Sequence, residues 1–411
     1  VDIGGPTLIR AAAKNHPDIL VMADPSQYDE VLAHLQQTDG DPKSVPLDVR
    51  QRLALTAFQR TAAYDVALAT TLAERFEGVE LEGDLPPRLL ISGGQLNRLR
   101  YGENPHQMAG FFDSSRVGER LEGLASADQH GGKELSFNNY LDLDAALRFA
   151  RSVSGDEWSQ WPHCCVIIKH TNACGVAISA NQVEAWDDAL ASDPESAFGC
   201  VIAFNQVVSL EVAEAIGGHF VECIIAPGFE DSALELLSEK KNRRMLTFDN
   251  FTPLDPVLRW RQIDGGWLAQ EEGAPQINWA DVKSVTKKSA DEGQIDLARF
   301  GVTVCAQVKS NCVVFVQPTT TGFATVGIGP GQTSRVEAVR IAARRAGERA
   351  TGAMMVSDAF FPFRDGIDTS HEMGITSVVQ PGGSIRDQEV IDAADEHGMT
   401  MLFTGVRLFR H

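Results

Sequence analysis

The sequence predicts an α/β protein, on three observations. Short apolar runs of strand length, "CCVIIKH" (164–170), "CVIAFN" (200–205), "FVECIIAP" (220–227), "NCVVFVQ" (311–317), "TSVVQP" (376–381) and "TMLFTG" (400–405), alternate with stretches of helical periodicity. The 411 residues, 43% of them hydrophobic, are enough to bury a sizeable core, and the length points to two or three domains. No run approaches the roughly 18 uninterrupted apolar residues of a membrane span, and no basic-then-apolar leader opens the chain.

Taken in order, Pro6 and the apolar spacing after it suit a helix start, "DILVMA" (18–23) reads as a strand, 27–37 as an amphipathic helix and 47–76 as a long helix. Because the chain opens on Val1 rather than Met, these pieces are expected to be the tail of an α/β unit. "EGVELEGDLPPR" (77–88) is polar, carries paired prolines and interrupts the helical pattern, so a domain boundary belongs there. Residues 240–295 are charged and rich in turn residues, which puts a second boundary near 290. The predicted divisions are 1–85, 86–290 and 291–411. In "VGIGPGQTSRVEAVRIAARRA" (326–346) a strand feeds a Gly-rich turn and a helix, with Ser334 and Glu337 spaced as a capping box. In "PGGSIRDQEVIDAADEHG" (381–398) Ser384 stands where an N-cap belongs, and Gly398 falls just past the helix end.

The formal net charge is −20, from 56 acidic and 36 basic residues, which disfavours nucleic acid and acidic membranes as partners. An anionic substrate would need a local cluster of Arg, Lys and backbone N–H groups. The seven cysteines are odd in number, sit mostly in apolar runs and form no C-x-x-C, so free thiols in a reducing, cytoplasmic compartment are expected.

Several motifs carry chemistry, each beside a plainer reading. Lys169 and His170 close the run 164–170, and in an α/β sheet the carboxyl ends of strands face the ligand crevice. A neutral imidazole can take a proton while an ammonium stabilises a developing oxyanion, which suits acyl or formyl transfer; a solvated strand exit explains the same dipeptide. "LRYGENPHQ" (99–107) could hold a phosphate on the Arg100 fork or be a surface turn. The 326–334 turn fits neither the dinucleotide fingerprint nor the P-loop, leaving either a close approach to a ligand or tight packing. "SDAFFPFRDGID" (357–368) offers three phenylalanines to a planar heterocycle or to the core. The start of the 384–397 helix could bind an anion or simply be capped, and "GVRLFRH" (405–411) could be a frayed tail. H-x-E and P-C-x-x-C are absent, so no zinc site is predicted.

Eleven collinear stretches, among them "DIGGPTLIRAAAKNH", "LRYGENPHQ", "LSFNN", "KHTNACGVA", "VKSN", "GIGPGQ", "SDAFFPFRDGID", "PGGSIRD" and the terminal "FRH", closely resemble the bifunctional purine-biosynthesis family that joins aminoimidazolecarboxamide ribotide (AICAR) formyltransferase to inosine monophosphate (IMP) cyclohydrolase. The resemblance implies a formyltransferase region of two cytidine-deaminase-like α/β subdomains, 86–290 and 291–411, preceded over 1–85 by a remnant of a methylglyoxal-synthase-like cyclohydrolase domain. It implies that His170 is the general base, Lys169 the oxyanion stabiliser and Asn311 an orienting group. Arg100, Tyr101, Gly199, Glu222, Arg335, Phe360 and Arg407 match ribotide contacts. Phe198, Val336, Pro362, Phe363, Asp365, Ser384 and Ile385 match the surface for the cosubstrate 10-formyltetrahydrofolate. Lys14 matches a cyclohydrolase site position, but the loops that hold most of that nucleotide site are not in this sequence, and the chain alone is expected to lack cyclohydrolase activity. The resemblance further implies a homodimer with a shared active site and a potassium ion whose ligands it leaves unassigned. The alternative is a catalytically silent nucleotide-binding or assembly fragment with the apolar faces of 1–76 exposed.

Overall fold

The protein is seen in a computed structural model that describes residues 1–76, 85–86, 88–114, 121, 123–253 and 256–411. Two compact units divide the chain, Val1–Arg98 with Gly110–Ala125, and Leu99–Ala109 with Ser126–His411.

In the first unit, helices α1 (Gly4–Lys14), α2 (Tyr28–Gln36) and α3 (Leu47–Arg75) pack through small apolar clusters. Ala13, Val21, Ala54 and Ala57 form one, and Val31, Val45, Val49 and Leu53 another. Residues 18–23 are not the strand their composition suggests. A strand needs a neighbour's backbone, and among the described residues they have no ladder partner; Val21 joins the first cluster and Leu20 the second. Strands β1 (Gln95–Leu99) and β2 (Ala109–Phe112) pair as a ribbon. The linker expected over 77–88 lies largely outside the described residues.

The second unit follows one element order twice. After the short β3 (Asp128–Gln129) come α4 (Phe137–Ser152), β4 (His163–Lys169), β5 (Asn172–Ser179), α5 (Gln182–Ser192), β6 (Cys200–Phe204), α6 (Leu210–Ile216), β7 (Val221–Ala226), α7 (Asp231–Ser238) and β8 (Arg244–Thr247). A hairpin, β9 (Val257–Ile263) with β10 (Gly266–Glu272), and the two-residue β11 (Lys283–Ser284) intervene. The order then recurs: α8 (Glu292–Cys305), β12 (Val313–Pro318), β13 (Gly322–Gly329), α9 (Arg335–Ala346), β14 (Met354–Ser357), α10 (Asp365–Glu372), β15 (Ser377–Gln380), α11 (Asp387–Glu396) and β16 (Thr400–Phe403).

All but the hairpin join one 12-stranded sheet, ordered β11-β16-β15-β14-β12-β13-β5-β4-β6-β7-β8-β3. Read outward from the centre, each half has an antiparallel hairpin, an antiparallel third strand, two strands added in parallel, and a two-residue antiparallel edge strand. The halves meet where β13 pairs antiparallel with β5, Gly322 opposite Ser179 and Ala324 opposite Ala177. The strands read as unbroken apolar runs because both sheet faces are covered. Cys165 and Ile167 face a core with Trp186, Val212 and Leu237 of α5–α7. The buried Cys164, Val166 and Ile168 alternate to the other face, where α4 packs. In the second half α9–α11 cover one core around Phe315, Met355 and Val378, and α8 packs on β12 and β14.

Three local readings change. Ser334 precedes α9, but its side chain makes no cap bond. Ser384 is not the N-cap of α11, which starts at Asp387; the Asp387 carboxylate instead accepts from the N–H groups of Gly383 and Ser384, at 2.8 and 3.0 Å. Those N–H groups are thereby taken up within the chain. Residues 257–272, read as irregular, form the hairpin: Asp264-Gly265, with Gly265 at φ 74°, is the two-residue turn that such a dipeptide signals.

Candidate active site

The first cluster grows from the end of β4. Lys169 pairs with Asn172, so His170 and Thr171 alone make the β4–β5 turn. Both have positive φ, 53° and 61°, the conformation of a mirror-image hairpin turn normally given to Asn-Gly. For a His and a β-branched Thr this costs about 1–3 kcal/mol per residue, and it persists only if neighbours hold it. The Asp142 carboxylate, on α4, accepts from Thr171 N at 2.6 Å and from His170 N at 3.3 Å, and Asn172 Nδ2 donates to the His170 carbonyl at 2.9 Å. Burial pushes the Asp142 carboxyl above the usual carboxylate range; the two N–H groups and His170 oppose this, and Glu222 adds to it. The His170 side chain is exposed, while the half-buried Lys169 donates from Nζ to the Phe198 carbonyl at 2.6 Å.

Strand register explains what joins this cluster. Ile168 lies opposite Val201, so Phe198 and Gly199, just before β6, come to the Lys169 end, as does Glu222 near the start of β7. Gly199 has φ 77° and donates to the Phe220 carbonyl at 2.8 Å, and the Phe198 ring, 62% exposed, packs against Phe220 at 5.1 Å. Glu222 accepts from Asn139 Nδ2 at 3.0 Å. Because β4 runs antiparallel to β6, its carboxyl end sits at the amino ends of β6 and β7. The carboxyl-end rule therefore does not place Lys169 and His170; the hairpin does.

The second cluster obeys that rule except at Asn311, which stands at the amino end of β12 because β12 runs antiparallel to β13 and β14. Asn311 precedes β12 and is wrapped by the turn after β13: its N donates to the Gln332 carbonyl at 3.0 Å, Gln332 N donates back at 3.1 Å, and its Nδ2 donates to the same carbonyl at 2.8 Å. Arg335 Nη2 donates to Asn311 Oδ1 at 2.8 Å, and Nη1 to Ser357 Oγ at 2.8 Å and to Asp358. Asp358 is wholly buried and also accepts from Cys312 N at 2.8 Å. Val336 lies in the first turn of α9. Phe360, Pro362, Phe363 and Asp365 follow β14, Ser384 and Ile385 follow β15, and Arg407 follows β16. These strand ends and the β13 exit share one end of the sheet with the 170–171 turn, because β13 runs antiparallel to β5. Phe363 lies under the Arg386 guanidinium at 4.7 Å. Asp365 accepts from Gly366 N, and Ile385 is fully exposed.

The C-terminal residues are docked, not frayed. Leu408 N donates to the Asp358 carbonyl at 2.8 Å, and Ser310 N to the Arg410 carbonyl at 2.8 Å. Arg407 is exposed, its guanidinium 4.5 Å from the Phe409 ring. Arg100 and Tyr101 sit on the tight 99–107 turn, closed by Gly102 N on the Gln107 carbonyl, with the Arg100 guanidinium 5.1 Å from the Tyr101 ring. Lys14 ends α1 in the other unit.

The chain matches the family model described as "AICARFT/IMPCHase bienzyme" over residues 12–345. It is 43% identical to the bifunctional purine biosynthesis protein PurH of Dinoroseobacter shibae and 44% identical to those of Cereibacter sphaeroides and Roseobacter denitrificans; each alignment covers all of this chain and 76% of the relative. The chain belongs to the AICARFT/IMPCHase bienzyme family.

Within this chain the sequence did not announce Asp142, whose partners lie 28 and 29 residues away, or Asp358, which reads as part of an aromatic loop. It also gave no hint of a 580 Å³ cleft in which Arg148, Arg259, Arg261, Arg407 and Arg410 gather, Glu272 bridging Arg410 at 2.8 Å and Arg148 at 3.5 Å. The arginines come from α4, β9 and the chain end, so no local motif links them. Among the described residues no three His, Cys, Asp or Glu side chains converge as a metal group, and no helix is long and apolar enough to cross a membrane.

Proposed function

We propose that this chain transfers the formyl group of 10-formyltetrahydrofolate to the 5-amino group of AICAR, in purine biosynthesis. The amine nitrogen attacks the formyl carbon and gives up a proton to His170. Lys169 stabilises the oxyanion at that carbon, which then collapses, breaking the bond to N10 of the folate. N10 takes a proton and leaves as tetrahydrofolate. The ring delocalises the amine's lone pair, so base catalysis worth roughly 10²–10⁴-fold needs electrostatic help. Asn311, tied to Arg335, orients the reactants. Arg100, Tyr101, Gly199, Glu222, Arg335, Phe360 and Arg407 hold the ribotide, and Phe198, Val336, Pro362, Phe363, Asp365, Ser384 and Ile385 the folate.

The observation that carries this reading is the two-residue turn that leaves an exposed imidazole beside a strand-end ammonium whose position is tied to Phe198. The repeated element order supports two cytidine-deaminase-like halves, 86–290 and 291–411, with 1–85 and Lys14 belonging to the cyclohydrolase part. The site is completed in a cytoplasmic homodimer. The test follows tetrahydrofolate release from 10-formyltetrahydrofolate and AICAR, with wild type beside His170→Ala. Turnover abolished in the variant is expected; turnover that survives the substitution overturns the role of His170. A folded dimer that binds AICAR without turnover favours the silent-fragment alternative.

A further inference from the structure

The side chains of the proposed reaction do not account for Asp142. It stands on α4, three residues after Asn139, which holds Glu222; no substrate role falls to it. Both of its oxygens point at main chain, one at Thr171 N and the other at His170 N, the two residues of the strained turn. We infer that Asp142 is a positioning residue for formyl transfer, clamping the 170–171 turn so that the His170 imidazole stands where the amine's proton leaves. The inference rests on the assignment of His170 as base, and it adds a dependence of that base on a residue that never meets substrate.

The physical case is one of competing conformations. Without a clamp, His and Thr prefer negative φ, and the tightest hairpin turn would open or shift register. Either change swings the imidazole away, and a misplacement of about 1 Å costs roughly 100-fold in rate. Two N–H groups on two carboxylate oxygens oppose that shift, and an ionised acceptor makes both bonds stronger than neutral ones. A carboxamide offers one acceptor oxygen and turns an NH₂ toward the second N–H, so it should hold the turn poorly.

The experiment compares wild type, Asp142→Ala, Asp142→Asn, Asp142→Ala with Thr171→Gly, and His170→Ala, measuring kcat, both KM values and hydrogen exchange at the 170 and 171 amides. For Asp142→Ala we expect kcat to fall about 100-fold with both KM values within twofold. The two turn amides should exchange at least tenfold faster while Ile167 and Val176 keep their protection. Asp142→Asn, nearly isosteric and expected to stay folded, should follow in the same direction. Thr171→Gly should restore part of the lost kcat, because glycine takes positive φ without strain; a merely stabilising role for Asp142 would not give that rescue. If Asp142→Ala and Asp142→Asn keep kcat within threefold while His170→Ala is dead, the inference falls and the assignment of His170 stands. If His170→Ala retains turnover, that assignment falls, and unchanged exchange at 170 and 171 would sink the clamp as well.

Discussion

Replacing Arg335 with methionine keeps its hydrocarbon stem and removes only the guanidinium. The Arg335 side chain is 10% exposed and its partner Asp358 wholly buried, so the substitution leaves a carboxylate in the interior with only the Cys312 N–H as a charge-stabilising contact. Removing one partner of a buried pair costs about 3–5 kcal/mol. The second unit has roughly 300 residues, and at about 2.1 cal/mol/K per residue its unfolding entropy near Tm is roughly 0.6 kcal/mol/K, so Tm should fall by about 5–8 °C. Asn311 loses its Arg335 donor at the same time, and turnover should fall roughly 10- to 100-fold if Asn311 orients the reactants. Thermal and urea unfolding of Arg335→Met, Asp358→Asn and the double variant close a double-mutant cycle. With both charges gone, the double variant should be more stable than Arg335→Met alone. A cost below about 1 kcal/mol for Arg335→Met, or zero coupling in the cycle, would refute the claim that this ion pair organises the Asn311 end of the sheet.

All seven cysteines are buried, and burial raises the Cys164, Cys174 and Cys200 thiols to about 12, so native protein should react with an aromatic disulfide only on unfolding, when all seven titrate. A Cβ on Gly175 would lie 1.9 Å from the Ala189 carbonyl oxygen of α5, a backbone atom, so Gly175→Ala should destabilise by about 3 kcal/mol, read as a urea midpoint shift. Hydrogen bonds from Arg364 hold the Asp368 carboxyl below the usual carboxylate range, with smaller help from His397. A depressed carboxyl contributes stability above its unfolded value of 3.8 and loses it as pH falls through the lowered value, so Asp368→Asn should flatten the acid limb of a stability–pH curve below about pH 4.

The α/β class and the main strands were legible because each strand is a local statement: an unbroken apolar run such as 164–168 has nowhere to go but between two covered faces. Helix spans at 28–36 and 47–75 came from periodicity for the same local reason, and the helix at 335–346 from the Gly-rich turn before it. The candidate residues were legible only as short motifs, Lys-His, Gly-rich turn and aromatic loop, each with a plainer reading beside it. Pairing was not legible. Residues 18–23 have strand composition and, among the described residues, no ladder partner, whereas 257–272 lie in a charged, turn-rich stretch and pair around Asp264-Gly265. A ladder depends on a second segment that the first cannot specify. For the same reason the repeated element order, the antiparallel join of β13 to β5, and the placing of the 170–171 turn and Asn311 at one end of the sheet had to come from the folded chain. Composition and periodicity act over a few residues; the positions of Asp142 under His170 and of Asp358 under Arg335 are set by contacts 28 and 23 residues apart, and these exist only once the sheet has closed.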